Sequence, residues 1–224
     1  MKIISLDTEY EICPRRLISI AYIITENNQI IDKKDMLIKH DNEVLQIDEN
    51  GVAFSKHKIT NKMCQEKGLD IESVLTIFND DLDKIDHIIG HNIITADIST
   101  IRREAIGTEM WENIWKKLKT KKIYDTIKES KKNIPEMKSY SLDKVYQKIF
   151  NKEFVNHHNA LEDCKTTFEI FQHFKKKNGE NNLSIIEMNF PEDDITNYLN
   201  AKFCLHCNKN IKNYYVIQNI NFKD

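Results

Sequence analysis

The sequence predicts an α/β domain built on a mixed five-stranded sheet flanked by helices, with a small C-terminal appendage. Three observations predict it. The chain has 224 residues of which 40% are hydrophobic, enough for one domain with its own core. Three β-prone runs come first, the last two separated by the turn signal Asn27-Asn28. After them, short apolar runs alternate with stretches whose apolar residues recur at helical spacing.

The elements follow in order. Residues 2–6 and 17–25 are apolar and β-prone, and residues 30–39 complete an antiparallel hairpin with the second run. Thr60 is placed to cap a short helix ending at Gly68, and Asp70 to cap a second with Ile71, Val74, Leu75, Phe78 and Leu82 on one face. Residues 85–90 read as a short buried strand, and a helix is expected to open at about Asp97. Another helix holds Trp111 and Trp115, and residues 122–127 are the expected fifth strand. Ser141 caps a helix running to Phe150. The last strong helix begins near Asn159, carries Ala160, Cys164, Thr167, Phe168, Phe171 and Phe174, and closes at Gly179. The chain then changes character. We therefore expect a domain over residues 1–178 and an appendage over residues 179–224.

Composition excludes several classes of protein. Cys13, Cys64, Cys164, Cys204 and Cys207 are odd in number and scattered, which is not a secreted disulfide framework and fits a reducing compartment. The N-terminal apolar run is broken by Asp7, and no later stretch is long enough to span a bilayer, so a soluble intracellular protein with no membrane partner is expected. A net charge of −2 does not suit a general polyanion binder. Charge is uneven, however: residues 115–152 are rich in lysine, a surface suited to a phosphate backbone or a solvated face, and residues 187–194 are acidic.

Three groups of residues carry chemistry. In Ser5-Leu6-Asp7-Thr8-Glu9, residues two apart on a strand share a face, so Asp7 and Glu9 present two carboxylates together. Such a pair is costly at the end of an apolar strand unless a cation compensates it, and Mg²⁺ prefers a few carboxylates with water and phosphate. In Gly90-His91-Asn92 followed by Asp97, a third carboxylate stands just beyond a strand end, where an aspartate is more often a helix cap than a ligand. In His158-Asn159-Ala160-Leu161-Glu162-Asp163, a histidine precedes a helix that carries an acid in its first turns. An imidazole there can accept a proton at neutral pH.

Taken together, Asp-x-Glu on the first strand, His-Asn-x4-Asp after a later strand and His-x-Ala-x-x-Asp at a late helix resemble the DEDDh superfamily of 3′–5′ exonucleases, the DnaQ-like proofreading subunits and their relatives. The resemblance covers about residues 1–176, including Lys58-Ile59-Thr60 and Tyr124-Asp125-Thr126. It implies a ribonuclease H-like fold. It also implies metal ligands Asp7, Glu9, Asp97 and Asp163 for two Mg²⁺ or Mn²⁺ ions, with His158 as the general base. Thr8 and Asn92 match positions near the terminal nucleotide. The implied activity is removal of nucleoside monophosphates from single-stranded or frayed 3′ ends, with DNA favoured, in proofreading, repair or degradation. Trimming of RNA 3′ ends is the alternative, and a non-catalytic module recruiting a polymerase the more distant one. Spacing selects His158 over the adjacent His157, while His57, His87 and His173 are read as packing residues. The chain departs from the family after Glu9, where Tyr10-Glu11-Ile12-Cys13-Pro14 replaces the usual small residues and Tyr10 is a possible wedge against a base.

In the tail, Cys204-Leu205-His206-Cys207 supplies two ligands of a zinc knuckle. A closed Zn²⁺ site needs four, and no second pair follows. The acidic stretch with Ile185, Ile186, Tyr198 and Leu199 is equally suited to dock on the main domain or to hold a polymerase or another partner.

Overall fold

The computed structural model describes residues 1–12, 15–40, 46–154, 159–179 and 182–186. Strands β1 (Lys2–Ile12), β2 (Arg15–Glu26) and β3 (Gln29–Leu37) run antiparallel. Asn27 and Asn28 both have positive φ (52° and 66°), the two-residue turn whose twist matches the flanking strands. Strands β4 (His87–Gly90) and β5 (Lys122–Asp125) add in parallel beside β1, and β6 (Ile185–Ile186) closes the sheet antiparallel to β5. The order is β3-β2-β1-β4-β5-β6.

The helices are α1 (Val52–His57), α2 (Asn61–Lys67), α3 (Ile71–Leu82), α4 (Ser99–Gly107), α5 (Trp111–Leu118), α6 (Thr126–Asn133), α7 (Leu142–Phe150) and α8 (Ala160–Asn178). Alternation along the strands divides the core in two. Ile4, Leu6, Ile88 and Ile123 pack with α3, α4 and α5 residues on one face. Ile3, Ile89 and Tyr124 pack with Cys164, Phe168, Phe171 and Phe174 of α8 on the other. Among the described residues, no helix is long and apolar enough to cross a membrane.

Thr60 and Asp70 cap as expected, accepting from the Met63 N–H at 3.1 Å and the Ser73 N–H at 2.8 Å, and Asn159 caps α8 by accepting from Glu162 at 3.2 Å. Ser141 stands at the N-cap of α7 but makes no capping bond, because its hydroxyl donates to the Asp143 carboxylate instead. Four further features differ from expectation. The strand at residues 122–127 stops at Asp125, because that side chain accepts the Ile127 N–H at 2.9 Å and starts α6. Helix α1 was not expected. Asp97 does not open a helix but lies inside a π-helical turn, Ile94–Ile98, that leads into α4. The chain can turn so early because Asn92 takes φ 67°, its N–H is held by Asp125 at 2.9 Å, and Gly90 has no side chain to strike Ile93. Finally, among the described residues the sheet has six strands, not five. The sixth comes from beyond Gly179, where Leu183 is buried in the α8 core and the Ser184 N–H donates to the buried Glu129 carboxylate at 2.8 Å.

Candidate active site

Asp7 and Glu9 project from β1 toward α8, as their two-residue spacing requires. The register of β1 with β2 shifts immediately after Glu9, so the strand bends where its acidic pair ends. Asp163 meets them from the first turns of α8. One carboxylate oxygen from each of Asp7, Glu9 and Asp163 lies within 4.8 Å of the others. Asp97 approaches from the π-helical turn, where its Oδ1 accepts the Thr8 hydroxyl at 2.7 Å. All four acids line one cavity of about 260 Å³, with Thr8, Tyr10, Lys56, His57 and His91 also on its walls.

The electrostatics are those of acids crowded without enough positive charge. Burial, then the charges of Asp97, Glu9 and Asp163, hold the Asp7 carboxyl well above the usual carboxylate range. Glu9 is pushed up to about 8, first by burial and then by Asp163 and Asp97, with the Lys56 ammonium pulling the other way. Burial raises Asp97 to about 7 against the Thr8 hydroxyl bond that favours its charged form. Like charges this close cannot all ionise alone, and a hard divalent cation bound by oxygen is what such a donor set fits. Among the described residues, no lysine or arginine forms an ion pair with Asp7, Glu9 or Asp97.

The structure thus brings Asp7, Thr8, Glu9, Asp97 and Asp163 together. Asn92 stands behind them, its Oδ1 accepting the Thr95 hydroxyl, and does not line the cavity. His158 lies outside the described residues, as do His157, Cys13, Cys204 and Cys207. His91 lines the cavity but is committed: its Nε2 donates to the Tyr140 carbonyl at 2.7 Å and its Nδ1 pairs with the Thr126 hydroxyl at 2.8 Å.

His57, read from sequence as a packing residue, has a different place. It is 6% exposed, and its Nδ1 accepts the Ile59 N–H at 2.9 Å, which puts the ring proton on Nε2. Burial, with Lys58 nearby, pushes its pKa down to about 4, so the ring is neutral at physiological pH. Nε2 has no hydrogen-bond partner among the described residues, and His57 is part of the cavity wall. The signal in the sequence was the adjoining Lys58-Ile59-Thr60, which the resemblance included without singling out the histidine.

The family model described as Exonuclease, of RNase T type, matches residues 5–171. The chain is 29% identical over 177 residues to the PolC-type DNA polymerase III of Thermotoga petrophila, covering 76% of this chain and 12% of the polymerase. Exonuclease I of Methylocaldum szegediense superposes with a TM-score of 0.62 at 18% identity, covering 80% of this chain and 41% of that one. E. coli Exonuclease I in complex with a dT13 oligonucleotide superposes with a TM-score of 0.65 at 16% identity, covering 78% and 41%. The chain therefore spans less than half the length of each of these relatives.

Proposed function

The chain belongs to the RNase T-type exonuclease family of the DEDDh superfamily, and from that premise we propose that it is a divalent-metal-dependent 3′–5′ exonuclease releasing nucleoside monophosphates, with DNA as the favoured substrate. The observation that carries the proposal is the convergence of Asp7, Glu9 and Asp163, with Asp97 beside them, on one cavity. A scaffold protein gains nothing from carboxylates that burial and mutual repulsion hold so far above their ordinary range. The preference for DNA draws support from the kinship with a DNA polymerase and from the oligonucleotide complex of Exonuclease I.

In this reading Asp7, Glu9, Asp97 and Asp163 hold two Mg²⁺ or Mn²⁺ ions. When bound, the ions supply Lewis-acid stabilisation of the attacking and leaving oxygens at the scissile phosphate. The protein's residues do the rest. The Thr8 hydroxyl keeps Asp97 ionisable and aimed. His158 removes a proton from the attacking water, and the neutral His57 offers its Nε2–H to an oxygen of the terminal nucleotide. The Thr8 backbone borders that nucleotide, while Asn92, committed to Thr95 and off the cavity wall, supports the turn behind it. We assign residues 1–178 to catalysis and take the chain beyond Ile186, with Cys204 and Cys207, as the part available to a partner. The buried thiols Cys64 and Cys164 suit work in a reducing cytoplasm or nucleus.

The test uses 5′-labelled single-stranded DNA and RNA with Mg²⁺, Mn²⁺ or EDTA. A metal-dependent ladder that shortens from the 3′ end and vanishes in Asp7→Ala is expected, stronger on DNA. A faster ladder on RNA makes the protein an RNA-trimming enzyme. No ladder on either polymer with either metal rejects the proposal.

A further inference from the structure

Arg15 begins β2 and is not one of the residues lining the acidic cavity, yet its side chain reaches two of the three elements that present the acids, the π-helical turn of Asp97 and, through Tyr10, the end of β1. Its Nε donates to the Thr100 hydroxyl at 2.8 Å. One terminal nitrogen donates to the Thr95 carbonyl at 2.6 Å and to the Ala96 carbonyl at 2.8 Å. Those carbonyls belong to the two residues that precede Asp97. The guanidinium also lies over the Tyr10 ring, 4.5 Å from its centroid, and Tyr10 follows Glu9 across the bulge in β1.

The turn so held is not an ordinary one. The Ile98 N–H bonds to the Ile93 carbonyl, five residues back, at 2.8 Å, which widens the helix where Asp97 stands. A widened turn has poorer intrinsic geometry than an α-helix and persists where its surroundings hold it. Here the holding groups are the Thr100 hydroxyl, which donates to the Ala96 carbonyl at 2.7 Å, the Ser99 hydroxyl on the Thr95 carbonyl at 2.7 Å, and the Arg15 fork. Arginine suits this place: a planar, permanently charged fork meets three acceptors and stacks on a ring at once, which a lysine ammonium cannot do.

Resting on the metal-dependent function proposed above, we infer that Arg15 is a positioning residue. It fixes the separation between the strand end that carries Glu9 and the turn that carries Asp97, and so sets the geometry in which divalent ions are held. Arg15 touches none of the four acids and acts through the backbone and the ring it grips.

The experiment measures Mn²⁺ binding to the full chain by calorimetry, the Mg²⁺ concentration for half-maximal nuclease activity, and the melting temperature in EDTA. The proteins compared are the wild type, Arg15→Ala, Arg15→Lys and the near-isosteric Thr100→Val, which removes one acceptor of the fork. Arg15→Ala is expected to weaken ion binding by roughly 10- to 100-fold. Its Mg²⁺ requirement should rise in step, with kcat recovered at high Mg²⁺. Arg15→Lys should recover only part of the affinity, and Thr100→Val should shift it in the same direction by less. A purely structural role predicts lower melting temperatures with unchanged ion affinity, and that result overturns the inference. If Arg15→Ala does not fold, Thr100→Val decides by the same criterion. Ion binding that is normal in the wild type and equal in the folded variants removes the role of Arg15 and leaves the proposed function standing. A wild type that binds no divalent ion removes both.

Discussion

Asp81 and Asp7 are both acids enclosed by the same sheet, and they are treated in opposite ways. Asp81, 2% exposed on α3, has a donor for each oxygen: the Tyr22 hydroxyl at 2.7 Å and the Lys84 ammonium at 2.6 Å. Tyr22 pairs in register with Leu6, one residue before Asp7, but points to the other face. Across the strand, Asp7 meets the negative charges of Asp97, Glu9 and Asp163. The contrast teaches that burial of a carboxylate does not by itself mark a functional site. Asp81 is completed by the protein's own donors, whereas the cluster around Asp7 crowds carboxylates into a donor set that suits a divalent cation.

The largest break in that contrast comes from neutralising Asp7. Asp7→Asn should reduce exonuclease activity to background while raising the melting temperature in EDTA at pH 8, because a carboxyl whose pKa is raised by folding weighs against the fold at that pH and the amide does not. A fall in melting temperature would show that Asp7 is stabilising and would equate it with Asp81. His158→Ala should slow turnover by about 10²–10⁴ without altering Mn²⁺ affinity, as expected for loss of a general base. Single-turnover rates alongside calorimetry check both halves of that statement.

The pH dependence of stability sharpens the contrast further. Glu9 and Asp97 have folded-state pKa values of about 8 and about 7, above their ordinary values of 4.5 and 3.8, and Asp7 is raised as well. A raised acid binds its proton more tightly in the folded state, so its contribution is intact below the ordinary value and is lost as pH climbs through the folded one. In EDTA the melting temperature should therefore fall between about pH 5 and pH 8 relative to the same protein in Mg²⁺. Parallel curves with and without Mg²⁺ would contradict the assignment.

Tyr22→Phe tests the other member of the pair. It removes one donor from the buried Asp81 and should cost about 1.5–3 kcal/mol in a urea titration, with the activity of the folded fraction unchanged. The smallest effect belongs to a fully solvated example. Lys62 and Glu66 lie 3.8 Å apart on α2 with side chains 80% and 57% exposed, and Lys62→Ala should change stability by no more than about 0.5 kcal/mol.

Much of this architecture was legible because it depends on local chemistry. Asn27-Asn28 specify their turn through φ alone, Thr60, Asp70 and Asn159 cap by hydrogen bonds within three residues, and Asp7 and Glu9 share a face by strand periodicity. What was missed depends on distant partners. Helix α1 is six residues long, has no side-chain cap at Gly51 and ends at a left-handed Lys58, so it carries no period to read. The π-helical turn has no sequence signature, since Arg15 and the space beside Gly90 come from other elements. His57 became distinct from the other histidines only through its bond to the Ile59 N–H and its place on the cavity wall. Asp125 and Thr126 looked like strand because the side chain that ends the strand also begins the helix.

The two-residue strand β6 has a consequence for how far the chain can be shortened. By pairing with Tyr124 and Ile123, it covers the open side of β5, and Leu183 fills a socket against α8. A protein trimmed at Asn178, where the helical pattern ends, would expose unpaired N–H and C=O groups beside an uncovered apolar socket. Such a bare edge is a template for another chain, so the trimmed form should self-associate on storage while one that ends just past Ile186 stays dispersed. Solubility, on this view, depends on a strip of chain that does not line the acidic cavity.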